Sequence, residues 1–140
     1  MKVKETDCGT VYYAISLLIL VIVTYGICNE YNGIYGPTIG LVGAIVMGYG
    51  DGFAGIIGKS LKSPSYKVGT STKTLAGSFT MLCITFIIIS GFLAYFNIAF
   101  WYLKAMLLAV ILTIIEAVSI KGTDNLTVPL ATVALLFLVI

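Results

Sequence analysis

Tyr49-Gly-Asp51-Gly-Phe-Ala54-Gly-Ile-Ile-Gly58-Lys59-Ser60, then a polar loop, then Thr72-Lys73-Thr74-Leu-Ala76-Gly77-Ser78: the rest of the chain is arranged around this stretch. It sets an acid inside an apolar run and packs five glycines into eleven residues (Gly48, Gly50, Gly52, Gly55, Gly58). It also holds four of the eight lysines, Lys59, Lys62, Lys67 and Lys73. The 140 residues around it are 59% hydrophobic and 10% charged, with a mean hydropathy of +1.07. That composition excludes an ordinary soluble core and predicts an all-α, polytopic transmembrane helix bundle forming one domain over 1–140.

Working outward, about five membrane segments can be drawn, at 10–28, 37–57, 75–96, 99–118 and 127–140. A span needs roughly 20 residues at about 1.5 Å each. The first four reach that length, whereas the fifth covers only about 21 Å. The first run lacks a small-residue cleavage site and reads as a retained helix, not a signal peptide. Alternating spans collect Lys2, Lys4, Lys59, Lys62, Lys67, Lys73 and Lys121 on one side and leave Lys104 on the other, which makes the first side cytosolic. The opposite boundary carries Tyr25, Tyr31 and Tyr35, then Tyr95, Phe96, Phe100, Trp101 and Tyr102, an interfacial aromatic belt. The expected location is an integral membrane, by default the plasma membrane.

Several chemistries are excluded. The chain has no histidine, which removes Ser-His and Cys-His nucleophiles and imidazole metal sites. Cys8, Cys28 and Cys83 are odd in number and widely separated, so they support neither a disulfide framework nor a zinc site. A net charge of +2, with lysines confined to short loops, gives no nucleic-acid-binding face. Carboxylates, lysines, hydroxyls, backbone amides and a borrowed metal remain.

Gly36, Gly40, Ala44, Gly48 and Gly52 recur every four residues, a stripe on which another helix can pack closely. From Gly50 onward glycine density exceeds what packing requires, and the helix is expected to be irregular there. Asp51 lies about seven residues from the end of its span, hence about 10 Å down. An ionisable group at that depth marks a functional site unless it caps a broken helix or pairs with Lys59 or Lys73. Ser71, Thr72 or Thr74 can cap the next helix, leaving amides around Ala76, Gly77 and Ser78 open to an anion between lysines; the same lysines also serve as a topology signal. Glu116 is a second buried acid at the same membrane face. Beyond it Gly122 can end a helix, and Asp124, Asn125 or Thr127 can cap the next, with Pro129 in its first turn. Asp51, Glu116 and Asp124 together form a hard-oxygen set suited to Mg²⁺ bridging phosphates.

Asp51-Gly-Phe-Ala54-Gly-Ile-Ile-Gly58 fits a DxxAxxxG pattern, and Lys73-Thr74-Leu-Ala76-Gly77-Ser78 fits a KTxxGS element. In that order, followed by Glu116 and Asp124-Asn125-Leu-Thr-Val-Pro129, they resemble the integral-membrane CTP-using lipid kinases over roughly 35–130. That family includes dolichol, diacylglycerol and phytol/farnesol kinases and, more distantly, phosphatidate cytidylyltransferase. Ala76, where dolichol kinases tend to carry Glu, favours the phytol-kinase side. The upstream helices usual in the family, with an Arg-Lys pair and a His, have no counterpart here, which leaves a fragment, a minimal form or one part of a larger assembly.

The resemblance implies transfer of the γ-phosphate of CTP or another nucleoside triphosphate to a membrane isoprenoid alcohol, with Mg²⁺ as cofactor. Asp51, Lys73, Glu116 and Asp124 are the candidate catalytic groups, and Asp51, Glu116 and Asp124 the candidate metal ligands. Asp51, Ala54, Gly58, Lys59, Lys73, Thr74, Gly77, Ser78, Asp124 and Asn125 are the candidate nucleotide site. Expected partners are membrane lipid, the alcohol and the nucleotide, with homo-oligomerisation or helices from another chain completing the assembly. The alternatives are a cytidylyltransferase-like CDP-lipid synthase and a non-catalytic helix-packing protein.

Overall fold

The structure, a computed structural model, describes residues 5–27, 36–69, 71–120 and 122–140, with side chains over 10–26, 38–69, 72–120 and 122–140. Lys2, Lys4, Cys28, Tyr31, Tyr35 and Lys121, whose charge, ring or thiol entered the topology and cysteine arguments, lie outside the described residues, as does the side chain of Cys8. The first helix, α1 (Glu5–Ile22), runs into a π-helical turn, Val23–Ile27. Next comes a long rod, composed of α2 (Gly36–Ile45), a π-helical segment Val46–Asp51 and α3 (Gly52–Ser60). Two short strands, β1 (Ser65–Val68) and β2 (Ser71–Thr74), lead into α4 (Leu75–Tyr95), α5 (Trp101–Val118) and α6 (Asp124–Val139).

The all-α membrane bundle is thus present, and three helical stretches are long and apolar enough to cross a bilayer: Thr38–Ser60, Leu75–Tyr95 and Trp101–Val118. Asp124–Val139 is a shorter apolar helix, as expected of the last segment, while the first is helical from Glu5 to Ile27 and its described side chains, Thr10–Gly26, form an apolar stretch. Leu18, Val21, Phe79, Ile87, Leu107, Ile114 and Leu138 are exposed on the bundle's outside. So much apolar surface suits lipid.

Packing, not burial from water, holds helices together in lipid. The centre is filled by Val46 and Met47 of the rod, Met81, Ile89 and Leu93 of α4, Leu108 and Leu112 of α5, and Val128 and Leu136 of α6. Glycine density after Gly48 does produce an irregularity, a π-bulge instead of a break. The amide of Gly52 bonds to the carbonyls of both Gly48 and Tyr49. Such bulges recur at functional sites, where the extra residue turns the side chains beyond it; here Asp51 closes the bulge.

The small-residue stripe is used unevenly. Gly40 abuts Thr24 of the first π-turn, and a Cβ on Gly48 would meet only the Tyr13 hydroxyl, at 3.6 Å. At Gly52 it would meet nothing within 4 Å. The tightest approach that matters to the site lies off the stripe, between α3 and the start of α4. A Cβ on Gly58 would lie 2.5 Å from Thr74 Oγ1, and one on Gly77 would lie 3.1 Å from the Ala54 carbonyl oxygen.

The segment read as an irregular polar loop is a β-hairpin. Ser65 pairs with Thr74, Tyr66 with Lys73 and Val68 with Ser71, and Gly69 supplies the left-handed turn residue at φ +57°. At the opposite end of the bundle, Lys104 in the first turn of α5 donates to the Val139 carbonyl at 3.1 Å. The hairpin lysines and Lys104 therefore sit at opposite ends of α5.

Candidate active site

Four elements deliver the site. The π-bulge ends on Asp51, β2 carries Lys73, the last turn of α5 carries Glu116, and the first residue of α6 is Asp124. One carboxylate oxygen from each of Asp51, Glu116 and Asp124 lies within 4.8 Å of the other two. Lys73 enters this cluster from the hairpin: its Nζ donates to Glu116 Oε1 at 2.8 Å and stands 3.9 Å from Asp124 Oδ2. It also donates to the Glu116 main-chain carbonyl. A cation against the last carbonyls of α5 is favoured by the helix dipole as well as by the carboxylate.

Capping does not account for Asp124. The N-cap of α6 is Thr123, whose hydroxyl donates to the Ile120 carbonyl, and Pro129 lies inside the helix beyond its first turn. Asp124 Oδ1 accepts the adjacent Asn125 amide at 3.0 Å, which leaves Oδ2 turned towards Lys73. Asp51 likewise makes no capping bond to α3, whose N-cap it occupies.

These groups line a cavity of about 500 Å³, within the range of small-ligand pockets. Asp51, Ala54, Gly58 and Lys59 form one wall, Lys73, Thr74, Gly77 and Ser78 another, and Glu116 and Asp124 the end. Lys59 is exposed at the mouth. Asn125, half-buried behind Asp124, is not among the lining residues. Gly55 and Thr72, a clustered glycine and a cap candidate but not among the candidate site residues, also line the cavity. Gly55 was within reach, because Asp51, Gly55 and Lys59 recur at a helical spacing of four and share a face.

The amide cradle expected at the start of α4 differs in the structure. Leu75 N–H donates to the Pro64 carbonyl at 3.0 Å, Ala76 N–H to Ser63 Oγ at 3.2 Å, and Gly77 N–H to Thr74 Oγ1 at 3.1 Å. Three first-turn donors are thereby taken by protein acceptors, two because the residues before β1 fold back onto the helix start and one by the Thr74 cap. Tyr66 and Ser78 clamp the hairpin to α4 through their hydroxyls at 2.6 Å. Positive charge at the cavity therefore comes from Lys59 and Lys73 more than from open amides.

The acid cluster fits a hard divalent cation. Such ions bind carboxylate oxygens at about 2.0–2.6 Å, so ligand oxygens on one ion sit about 3–5 Å apart. The 4.8 Å span meets that condition, and all donors are oxygens.

No family model matches the chain, and no solved structure gives a significant match. Curated proteins do. A protein named probable phytol kinase, chloroplastic, from Triticum aestivum is 33% identical over 98% of this chain and 46% of its own length. Phytol kinase from Synechocystis is 31% identical over 87% of this chain and 50% of its own length. A probable chloroplastic phytol kinase of Zea mays is 31% identical over 98% of this chain. The chain spans about half the length of the curated relatives it matches. The plant proteins are named chloroplastic, so they lend no support to the plasma membrane as the default location. Over the segment it shares with them, the chain is similar to these phytol kinases, which supports the resemblance to the membrane polyprenol- and lipid-kinase family.

Proposed function

We propose that the chain is the phosphoryl-transfer unit of a prenol kinase, moving the γ-phosphate of CTP or another nucleoside triphosphate to the hydroxyl of a membrane isoprenoid alcohol. The observation that supports it most is the meeting of three carboxylates and Lys73 in one cavity at the lysine-rich end of a membrane bundle. Only at such a boundary do a water-borne triphosphate and a lipid-borne hydroxyl meet. The positive-inside bias makes that end the cytosolic one.

Phosphoryl transfer asks a protein mainly for positioning and charge neutralisation. Asp51, Glu116 and Asp124 would hold Mg²⁺, which when bound neutralises charge on the phosphate oxygens. Lys59 at the mouth and Lys73 at the back bracket the space a triphosphate needs. Thr74 and Ser78 keep the wall between them rigid, one as helix cap and one through Tyr66. The alcohol would reach the cavity past Gly55, an exposed lining residue where an added Cβ would meet nothing within 4 Å. One of these three carboxylates, through the oxygen turned away from the metal, accepts the hydroxyl proton as the phosphoryl group arrives.

The test uses purified protein in lipid, a panel of prenols and labelled nucleotides. Appearance of γ-label in the lipid is the expected result. Appearance of α-label would instead identify a CDP-lipid synthase, and no label in the lipid would remove the enzymatic reading.

A further inference from the structure

Lys73 stands where a cation is needed. Its ammonium makes a 2.8 Å contact with Glu116 and lies 3.9 Å from Asp124, and its side chain is only 12% exposed. The two carboxylates are as enclosed, at 9% and 12%. A divalent ion drawn to the same oxygens would meet this ammonium at close range, where like charges repel strongly in a low-dielectric setting. It could enter only by displacing Lys73, and an enclosed ammonium stripped of its anion is costly. No other anion among the cavity-lining residues can receive it, since the only acids there are the three that would bind the metal.

We infer that Lys73 acts as an internal counter-ion that keeps free divalent metal out of the acid cluster and admits it only together with a triphosphate. This rests on the magnesium–triphosphate function proposed for the cavity and assigns the site its order of loading. The polyphosphate supplies the missing anion: as the metal takes the carboxylates, Lys73 turns to the phosphate oxygens. The geometry permits the exchange. The Lys73 backbone is fixed opposite Tyr66 in the hairpin, directly before the Thr74 cap, while the rotatable bonds of its four-carbon stem let the ammonium move without moving the backbone. Both partners of the exchange line the same cavity. Metal and nucleotide should therefore raise each other's affinity by one shared factor, as linkage requires. Lys73 is the residue that sets that factor.

The experiment titrates Mn²⁺, followed by the loss of its free paramagnetic signal, into the full chain in lipid nanodiscs, with and without a non-hydrolysable CTP analogue. For the unaltered protein, the analogue should tighten Mn²⁺ binding at least tenfold. In Lys73→Met, Mn²⁺ alone should bind at least tenfold more tightly than to the unaltered protein, and the effect of the analogue should shrink. Lys73→Gln, which keeps a neutral donor towards Glu116, should behave likewise and serves if the Met variant folds poorly. As a second readout, Mn²⁺ alone should raise the melting temperature of either variant and leave that of the unaltered protein nearly unchanged. If Lys73→Met and Lys73→Gln take up free Mn²⁺ no better than the unaltered protein while the analogue still promotes uptake, the gating role is wrong and the metal–triphosphate site stands. If no protein takes up Mn²⁺ even with the analogue, the site reading itself fails and the gate with it.

Discussion

Lys73 and Glu116, 43 residues apart in sequence, meet at 2.8 Å and tie the hairpin to the last turn of α5. Both side chains are nearly enclosed, so the pair is structural as well as chemical. Removing one member of a buried pair leaves the other uncompensated and costs about 3 kcal/mol. Glu116→Ala should therefore lower stability by about that amount, read as thermal unfolding in detergent. An unchanged melting curve would mean the contact contributes nothing to the fold.

Gly55 and Gly58 should respond in opposite ways. A Cβ on Gly55 meets nothing within 4 Å, yet the residue lines the cavity. Gly55→Leu should fold normally and raise the KM for the prenol at least tenfold while leaving nucleotide binding intact. Equal KM values for the two proteins would place the alcohol's entry elsewhere.

Gly58→Ala is a structural lesion. Its Cβ would press on Thr74 Oγ1 and approach Gly77 Cα at 3.5 Å, forcing α3 away from the start of α4. Overpacking of this kind costs roughly 1–3 kcal/mol. Stability should fall together with activity, whereas Gly55→Ala should cost little of either; equal stability of the two alanine variants would contradict the packing described.

Thr74, next to Lys73, caps α4. Its hydroxyl accepts the Gly77 amide at 3.1 Å. Thr74→Val should cost about 1 kcal/mol and Thr74→Ser much less. Denaturant midpoints for the three proteins check this, and a Ser variant as weak as the Val variant would mean the methyl group matters instead of the bond.

Much of the bundle is legible in the sequence because lipid demands long uninterrupted apolar helices, and Thr38–Ser60, Leu75–Tyr95 and Trp101–Val118 satisfy that demand plainly. Glycines around Asp51 announce an irregular backbone, though not that it is a π-bulge. The hairpin escapes a sequence reading because residues 59–73 are polar and short, and only pairing across the Gly69 turn reveals strands there. The filled amides at the start of α4 escape it for a related reason: their acceptors, Pro64 and Ser63, lie more than ten residues upstream and reach the helix only through that hairpin. The gathering of Asp51, Glu116 and Asp124 can be anticipated from their common membrane face. That Lys73 pairs with Glu116 and Asp124, where the sequence offers Asp51 as its partner, requires the register Tyr66 to Lys73.

The central claim is that this acid cluster grips the metal-bound triphosphate during transfer to an alcohol. Transfer of γ-label from the nucleotide to a prenol, compared between the unaltered protein and Asp51→Asn at matched folding, tests it most directly. The account predicts label in the lipid for the first and a loss on the order of 10²-fold for the second. An Asp51→Asn protein that labels the prenol at the unaltered rate would contradict it.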